Sequence, residues 1–214
     1  MTFLSALLLA LFITVSLIPV LKTTALRFNV VDVPAARKVH LQPTPRVGGI
    51  AMALGILLPL VFWAPASAFS RALISGGAVI VVFGFLDDVI ELGYRTKFAG
   101  QITAALVVIV LGDLQVRSLG DLAPGVVLPP VAAVPLTCLL LVAAANAVNL
   151  ADGLDGLAGG ICLIMFVCLG VISYAAGKTI GVFVCVAATG AIFGFLRYNT
   201  HPAVIFMGDT GSQL

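Results

Sequence analysis

The sequence predicts an all-α, polytopic membrane protein with about seven transmembrane helices and its N-terminus outside. Hydrophobic residues make up 61% of the 214-residue chain and charged residues 9%, whereas about a quarter of a soluble domain is charged. Apolar runs without charge recur along the chain, at lengths close to the roughly 20 residues that cross a bilayer. The net charge of +2 is too small to indicate a nucleic-acid partner, so the bilayer is the first expected partner.

The first run, Thr2–Leu21, is long enough to span a membrane and is followed by Lys22. No basic residue precedes it, which is unlike a cleavable signal peptide. We therefore expect a first transmembrane helix rather than a leader, with its N-terminus outside.

The later runs predict six more helices. Two of these runs are shorter than a span, so their helices are expected to extend past the flanking charges. Prolines delay the start of the fifth helix, which is placed near Val131–Asn146, and only Gly177-Lys178 separates the sixth from the seventh. The later runs are Val47–Ser70, Ala72–Leu86, Phe98–Gly112, a stretch within Leu122–Ala151, Gly156–Gly177 and Thr179–Leu196.

The charges test this orientation. Alternating from an outer N-terminus puts eight basic residues inside (Lys22, Arg27, Arg37, Lys38, Arg46, Arg95, Lys97 and Arg197) and three outside (Arg71, Arg117 and Lys178). This bias agrees with the positive-inside rule. Acidic residues hardly affect insertion, yet seven fall inside (Asp32, Asp87, Asp88, Glu91, Asp152, Asp155 and Asp209) and only Asp113 and Asp121 outside. Carboxylates gathered on one face indicate a bound cation.

The cysteines and histidines carry no metal or redox motif. Cys138, Cys162, Cys168 and Cys185 lie in apolar runs without a CxxC pair, as small buried hydrophobic residues do. His40 and His201 are far apart and offer no zinc pattern.

The first polar motif is AARKVHLQPTPRVGG, Ala35 to Gly49, in the first inner loop. Its basic residues could bind the phosphates of a nucleotide or a lipid head group, or serve only as topogenic charge beside a helix. Gly48-Gly49 after Pro45 is typical of a tight turn into the second helix.

The second motif is FGFLDDVIELGYRTK, Phe83 to Lys97. Asp87 and Asp88 end an apolar helix, where two anions oppose the helix dipole, so we favour a function over a simple helix end. Neighbours diverge by about 100° on a helix, so the two carboxylates are not expected to share one role. Glu91 is expected on the same helical face as Asp87.

The third motif is NAVNLADGLDGLAGG, with polar side chains three residues apart at Asn146, Asn149, Asp152 and Asp155. On an unbroken helix this spacing would wind around the surface. The glycines predict a break that lets the four groups converge, beginning on the inner end of the fifth helix and ending in a loop. The alternative is an Asx-rich turn that caps the next helix, but one cap explains one aspartate, not four polar residues.

The fourth motif is NTHPAVIFMGDTGSQL, in which Asp209 stands between glycines just before Thr210 and Ser212. A carboxylate beside accessible backbone amides suits magnesium, which takes one or two protein carboxylates and completes its shell with substrate oxygens. A plain N-cap for an eighth helix is the alternative.

All four motifs fall on the inner side under the same alternation, which indicates one common site. A transporter or channel is the competing class, because intramembrane carboxylates and broken helices also form ion sites. Transport predicts carboxylates near mid-span and related halves, whereas these lie at helix ends and the sequence shows no repeat.

With these motifs the chain resembles the polyprenyl-phosphate N-acetylhexosamine-1-phosphate transferases, glycosyltransferase family 4. This family includes the enzymes that start common-antigen, O-antigen and wall teichoic acid synthesis, and the phospho-MurNAc-pentapeptide translocase. The basic loop looks more like the GlcNAc-type branch than the peptidoglycan branch. The motifs that carry the resemblance are RKVH…PRVGG, FGFLDD, NAVNLADGLDGLAGG and IFMGDTGS.

The resemblance implies a reaction and roles. A polyprenyl phosphate attacks the sugar-bearing phosphate of a UDP-N-acetylhexosamine at the cytoplasmic face of the bacterial inner membrane, giving polyprenyl-pyrophosphoryl-sugar and UMP. Asp209 would bind Mg²⁺, with Mn²⁺ as an alternative, and Asp87 and Asp88 would handle the lipid phosphate, one as base. By the same resemblance, Asn149, Asp152 and Asp155 would hold the nucleotide, Asn146 would support them, and Lys38 would contact phosphate or nucleotide.

The resemblance also marks a departure. Family members typically have more than about 300 residues with about ten or eleven spans and carry a His-rich loop, whereas residues 1–214 form one partial transferase domain. A non-catalytic truncated homologue and an ion-coupled transporter fragment stay open as alternatives, and so does a homodimer.

Overall fold

The fold is an all-α helix bundle. A computed structural model describes residues 2–32 and 43–214, and Lys38, Arg37 and His40 lie outside these ranges. Six of the described helices are long and apolar enough to cross a membrane, and the 16-residue α2 is a shorter apolar helix. The helices are α1 Thr2–Arg27, α2 Gly48–Trp63, α3 Ala68–Ile90, α4 Tyr94–Gly112, α5 Pro130–Ala151, α6 Leu157–Ala175, α7 Thr179–Asn199 and α8 Gly208–Ser212.

One small strand pair accompanies the helices. Strand β1, Val31–Asp32, pairs antiparallel with β2, Thr44–Pro45, so that Val31 faces Pro45. Backbone bonds then tie this segment to the stretch before α8: Phe206 N donates to Pro45 O (2.8 Å) and Gly49 N donates to Met207 O (2.8 Å). Gly48 and Gly49 therefore begin α2 and anchor the approach to α8, rather than only turning the chain.

The predicted helices exist, but several boundaries differ. As expected, the third and fourth helices extend past their flanking charges, to Ala68–Ile90 and Tyr94–Gly112. The predicted second run, Val47–Ser70, is too long, because α2 ends at Trp63 and Pro65 lies between α2 and α3. The Ser67 hydroxyl caps α3 by accepting from Ser70 N (3.0 Å).

The first and fifth helices run longer than predicted. Helix α1 continues past Lys22 to Arg27. The hydroxyls of Thr23 and Thr24 both donate to the Val20 carbonyl oxygen (2.8 and 2.9 Å), one turn earlier, which is compatible with a continuous helix. The fifth helix ends at Ala151, not Asn146, so Asn146 and Asn149 are both helical. The predicted boundary at Gly177-Lys178 between α6 and α7 is confirmed.

Helix α7 forms the centre of the bundle, packed against α1, α2 and α6. Its Gly190-Ala-Ile-Phe-Gly194 segment has the small-xxx-small pattern that lets membrane helices approach closely. A Cβ on Gly190 would lie 2.4 Å from the Leu7 carbonyl of α1, so the two backbones are in direct contact there. Ala6 and Ala10 of α1 are fully buried in the same interface.

The outer surface is apolar, as a lipid-facing surface should be. Phe12, Val110, Leu150, Ile164 and Tyr174 are each more than half exposed. The inner ends of α3, α5 and α7 and the start of α4 all meet α8 or the loops beside it, which places the described parts of the four motifs at one end of the bundle.

Candidate active site

The short helix α8 is held in place by Asp88. Both carboxylate oxygens of Asp88 accept bonds from this segment: Oδ1 from Asp209 N (2.7 Å), and Oδ2 from Thr210 N (3.0 Å) and Thr210 Oγ1 (2.6 Å). A carboxylate at the start of a helix satisfies backbone donors that the helix itself cannot. Asp88, at the end of α3, therefore fixes the backbone that carries Asp209, and Asp209 is not the helix cap.

Asp209 accepts three side-chain donors on one carboxylate oxygen. Its Oδ1 accepts from Lys97 Nζ (2.6 Å), from Gln213 Nε2 (3.2 Å) and from the Asn149 side-chain amide. Burial alone would raise the pKa of Asp209, but hydrogen bonds with the Asp87 carboxyl and the Lys97 ammonium hold that pKa below its ordinary value. Asp209 is therefore an anion at neutral pH.

Lys97 lies between two aspartates. Its Nζ is 3.2 Å from Asp87 Oδ2 and 2.6 Å from Asp209 Oδ1, and Asp87 also accepts from Leu92 N (2.7 Å). Asp87 and Asp88 thus have separate partners, as their divergence on a helix predicted. Glu91 does not share the Asp87 face: α3 ends at Ile90, and Glu91 follows in a left-handed conformation (φ 49°) with its side chain 85% exposed.

Asp152 differs from the other carboxylates. It follows the last turn of α5 and lines the cleft, and its carboxylate makes no hydrogen bond or ion pair with any residue in the described ranges. Burial, and then the negative charges of Asp209 and Asp88, raise the pKa of Asp152 to about 7. A partly buried carboxylate without a partner favours a ligand that brings positive charge or a proton donor.

Asp155 fastens the loop before α8. Its Oδ2 is 2.9 Å from His201 Nδ1 and accepts from Ala203 N (3.0 Å). The buried Asn199 makes the reciprocal connection, since its Oδ1 accepts from Gly156 N (3.0 Å) and its Nδ2 donates to Ile205 O (3.0 Å). The loops after α5 and α7 are therefore joined on both sides.

Asn146 lies one turn back from Asn149 and does not reach Asp209 directly. Its Nδ2 donates to Gln101 Oε1 (2.7 Å) and to the Val142 carbonyl (2.7 Å), which fits the supporting role expected of it. Asn149 Nδ2 donates to Asp209 Oδ1 and to Ser212 Oγ (2.7 Å).

These groups surround a cleft of about 640 Å³. Five of the predicted residues line it, namely Asp88, Asn149, Asp152, Asp155 and Asp209. Asp87 and Asn146 lie behind this wall, and Lys38 is outside the described residues. The structure thus brings together all but one of the predicted positions.

Several site residues were not predicted. Lys97, Gln101 and Gln213 were not singled out, because each is a lone polar residue whose partners are distant in sequence. Arg46 lies on the cleft wall in contact with Asp32, and His201 lies at the rim. Lys97 could have been predicted from its position: it lies on the first turn of the apolar helix α4, which follows soon after the aspartate pair at the end of α3.

The donor set of the cleft fits Mg²⁺. Asp88, Asp152 and Asp209 line the cleft and Asp87 lies behind it, and Lys97 is the one ammonium of the described residues that contacts any of the four, through Asp87 and Asp209. No group of three or more acidic, cysteine or histidine side chains within residues 2–32 and 43–214 could hold a metal alone. Magnesium typically binds one or two protein carboxylates and takes its other oxygens from water and phosphate.

The fold and the cleft define an integral membrane protein with an acidic candidate active site where its helices end. The sequence model of glycosyl transferase family 4 matches residues 70–214, and the chain belongs to that family.

Curated relatives agree with this assignment. The chain is 38% identical over 213 residues to a decaprenyl-phosphate N-acetylglucosaminephosphotransferase of Mycolicibacterium smegmatis, covering 90% of this chain and 52% of the relative. It is 37% identical to a probable undecaprenyl-phosphate N-acetylglucosaminyl 1-phosphate transferase of Bacillus subtilis (91% and 54% covered). It is 36% identical to a phospho-N-acetylmuramoyl-pentapeptide-transferase of Wolbachia pipientis (84% and 59% covered).

The chain spans about half the length of the curated relatives it matches. Since these relatives are named as transferases, the ion-coupled transporter alternative is not favoured.

Proposed function

We propose that the protein transfers a sugar-1-phosphate, with GlcNAc-1-phosphate the first candidate, from a UDP-sugar to a polyprenyl phosphate. An oxygen of the lipid phosphate forms a bond to the sugar-bearing phosphorus. The bond from that phosphorus to the bridging oxygen breaks, and UMP leaves with the electron pair. The products are polyprenyl-pyrophosphoryl-sugar and UMP, and the lipid product would initiate a cell-envelope polysaccharide.

The observation that carries this proposal is the convergence of Asp88, Asn149, Asp152 and Asp209 on one cleft beside Lys97, at the ends of apolar helices. A lipid substrate requires a site at the membrane edge, while a sugar nucleotide requires a polar cleft open to water. The names of the relatives support the same substrate pair.

The phosphate chemistry belongs to Asp209 and Lys97. Asp209 would hold Mg²⁺, with Asp152 as the neighbouring carboxylate, and the bound ion would offset negative charge on the transferring phosphate. The Lys97 ammonium lies 2.6 Å from Asp209 Oδ1 and can donate to a phosphate oxygen beside it.

The two aspartates of α3 have different parts in this proposal. Asp88 positions Asp209 and Thr210, because all its described bonds go to that segment. Asp87 holds Lys97 and is the nearer candidate for a base toward the lipid phosphate, since its partners are side chains and one amide, Leu92 N, rather than the backbone of α8.

The nucleotide is assigned to the wall of the cleft formed by the end of α5 and the loops after α5 and α7. Asn149, Asp152 and Asp155 line that wall with Asn199 and His201, and Lys38 would reach it from the first inner loop. Asn146 supports the wall from α5. We place this face in the cytoplasm, with the protein in a bacterial inner membrane, because the basic residues and the site fall on the same side.

The test is UMP release from UDP-GlcNAc by membranes containing this chain, with polyprenyl phosphate and Mg²⁺, beside Asp209→Asn as control. Release that the substitution abolishes would establish the reaction class. Release that persists in Asp209→Asn would overturn the metal assignment. If an inserted chain binds UDP-GlcNAc without turnover, these 214 residues act as a non-catalytic homologue instead.

A further inference from the structure

A row of buried amide side chains runs behind the cleft and ends on Asp209. Gln101 of α4 is 2% exposed, and Gln213, just after α8, is 7% exposed. Asn146 Nδ2 donates to Gln101 Oε1 (2.7 Å), Gln101 Nε2 donates to Gln213 Oε1 (3.1 Å), and Gln213 Nε2 donates to Asp209 Oδ1 (3.2 Å). We call Asn146, Gln101 and Gln213 the amide row.

The row has a direction. Asn146 donates into the row, and Gln101 and Gln213 each accept through the amide oxygen and donate through the amide nitrogen, so the three dipoles align toward Asp209 and polarise one another. Three donors from different elements then meet at one atom, Asp209 Oδ1: Lys97, Asn149 and Gln213. No side-chain amide or ammonium of the described residues donates to Asp209 Oδ2, and the Asp87 carboxyl is the other group that hydrogen-bonds the Asp209 carboxylate.

From this geometry we infer that Gln101 and Gln213 are positioning residues: through the amide row they fix the carboxylate of Asp209 so that Oδ2 is presented to a divalent cation. The inference rests on the proposed function, in which Asp209 is the cation ligand. Groups that orient a metal-binding side chain from behind typically change cation affinity or activity about 10–100-fold when removed.

A simpler role for buried glutamines in a membrane bundle is to hold helices together by hydrogen bonds. The amide row does join α4, α5 and the end of α8. A purely packing role, however, does not require every link to donate toward a carboxylate. The two roles make different predictions, because helix packing affects stability alone, whereas positioning affects cation affinity at constant stability.

The experiment measures Mn²⁺ binding by electron paramagnetic resonance on the purified chain in detergent, together with its melting temperature. Gln101→Met and Gln213→Met keep the side-chain length and remove the hydrogen bonds. Gln115→Met is the matched control, since the described partners of the Gln115 side chain are Asp113 and Arg117, in the loop after α4 and away from the cleft. We expect the Mn²⁺ Kd to rise about tenfold in each row variant and to stay unchanged in the control.

The double variant Gln101→Met/Gln213→Met should bind Mn²⁺ about as weakly as either single variant, because one break already interrupts the row. An unchanged Kd with a lowered melting temperature would overturn the inference in favour of helix packing, and so would additive effects in the double variant. Should the methionine variants not purify folded, Gln101→Asn keeps a buried amide but is too short to bridge both neighbours, and the same rise in Kd is expected.

UMP release by the unsubstituted chain separates this inference from the proposed function. Mn²⁺ binding that depends on Gln101 and Gln213, in a chain that releases no UMP, would support the positioning role and count against the transferase activity. If the chain releases UMP but neither glutamine substitution changes the Mn²⁺ Kd, the transferase activity would be supported and the positioning role would be excluded.

Discussion

At the scale of single residues, the four aspartates in and directly behind the cleft have four different environments. Both oxygens of Asp88 accept hydrogen bonds from residues 209 and 210. Asp87 is paired with Lys97, and Asp209 accepts hydrogen bonds from three side chains. Asp152 has no partner among the described residues, and burial raises its pKa to about 7. Sequence alone gives all four the same chemistry, and their differences come from the neighbours that folding supplies.

Asp152 should make stability depend on pH. Its folded pKa, about 7, exceeds the ordinary value of 3.8, so the folded state binds the proton more tightly between these values. The contribution of Asp152 to the free energy of unfolding is therefore greatest below about pH 4 and is lost as the pH rises toward 7. In EDTA, we expect the melting temperature of Asp152→Asn to fall less between pH 5 and pH 7.5 than that of the unsubstituted chain. Equal slopes would mean that Asp152 is ionised in the folded protein.

Lys97 should be indispensable for turnover. Replacing it with methionine keeps the length of the side chain but removes the only ammonium found beside Asp87 and Asp209 in the described part of the chain. We expect UMP release to fall about a hundredfold or more, as when one preorganised donor is removed from a phosphoryl or acyl site. Lys178→Met, in the exposed turn before α7, is the control and should retain turnover. Comparable rates in the two variants would exclude Lys97 from the chemistry.

At the scale of elements, the site depends on how closely α3 approaches α8. A Cβ on Gly84 would lie 2.6 Å from Thr210 Cα and 2.8 Å from Thr210 N, both backbone atoms that cannot rotate away. Gly84 is one turn before Asp88, so the same face of α3 supplies the contact surface and the anion that holds α8. Helix packing and the geometry of Asp209 are therefore set together.

Gly84→Ala tests this coupling. The added methyl group should push α8 outward, lower the free energy of unfolding by about 1–3 kcal/mol and reduce UMP release about tenfold or more. Gly160→Ala is matched to it, because Gly160 is also helical but has no atom within 4 Å of an added Cβ. That variant should be neutral or slightly more stable, since alanine favours helix by about 1 kcal/mol. The readouts are thermal unfolding and UMP release, and wild-type behaviour of Gly84→Ala would show that α8 is loosely held.

At the scale of the whole molecule, every described site residue lies at one end of the bundle, and that end bears most of the basic residues. Alternation from an outer N-terminus predicted this grouping before any contact was known. The helices provide apolar surface toward lipid, while the cleft is polar and opens at their ends. This arrangement suits a reaction between a lipid phosphate and a water-soluble nucleotide.

The orientation can be measured by cysteine labelling. In a variant without the four native cysteines, Ser118→Cys in the α4–α5 connection should react with an impermeant maleimide on intact cells. Thr200→Cys, in the loop after α7, should react only after permeabilisation, because we place it on the cytoplasmic side. The opposite pattern would reverse the topology and move the cleft outside.

Local sequence patterns were enough to predict the class of fold, the apolar helices and the gathering of the polar motifs at one end of the bundle. These follow from local patterns: run length fixes a span, and basic residues fix its direction. Their polar motifs in an otherwise apolar chain also predicted Asn149, Asp152 and Asp209 as candidate site residues, and these three line the cleft.

Only the tertiary structure decided what each polar group touches. Lys97 meets Asp209, and Gln101 meets Gln213, across 112 residues of sequence, a separation at which no periodicity carries information. Glu91 does not lie on the helical face of Asp87, because α3 ends one residue before it. Helix α5 extends beyond its predicted end, so Asn149 is helical like Asn146. The physical reason is that burial and hydrogen bonding are satisfied by whichever groups the packed helices bring within reach, and that is a property of the assembled bundle.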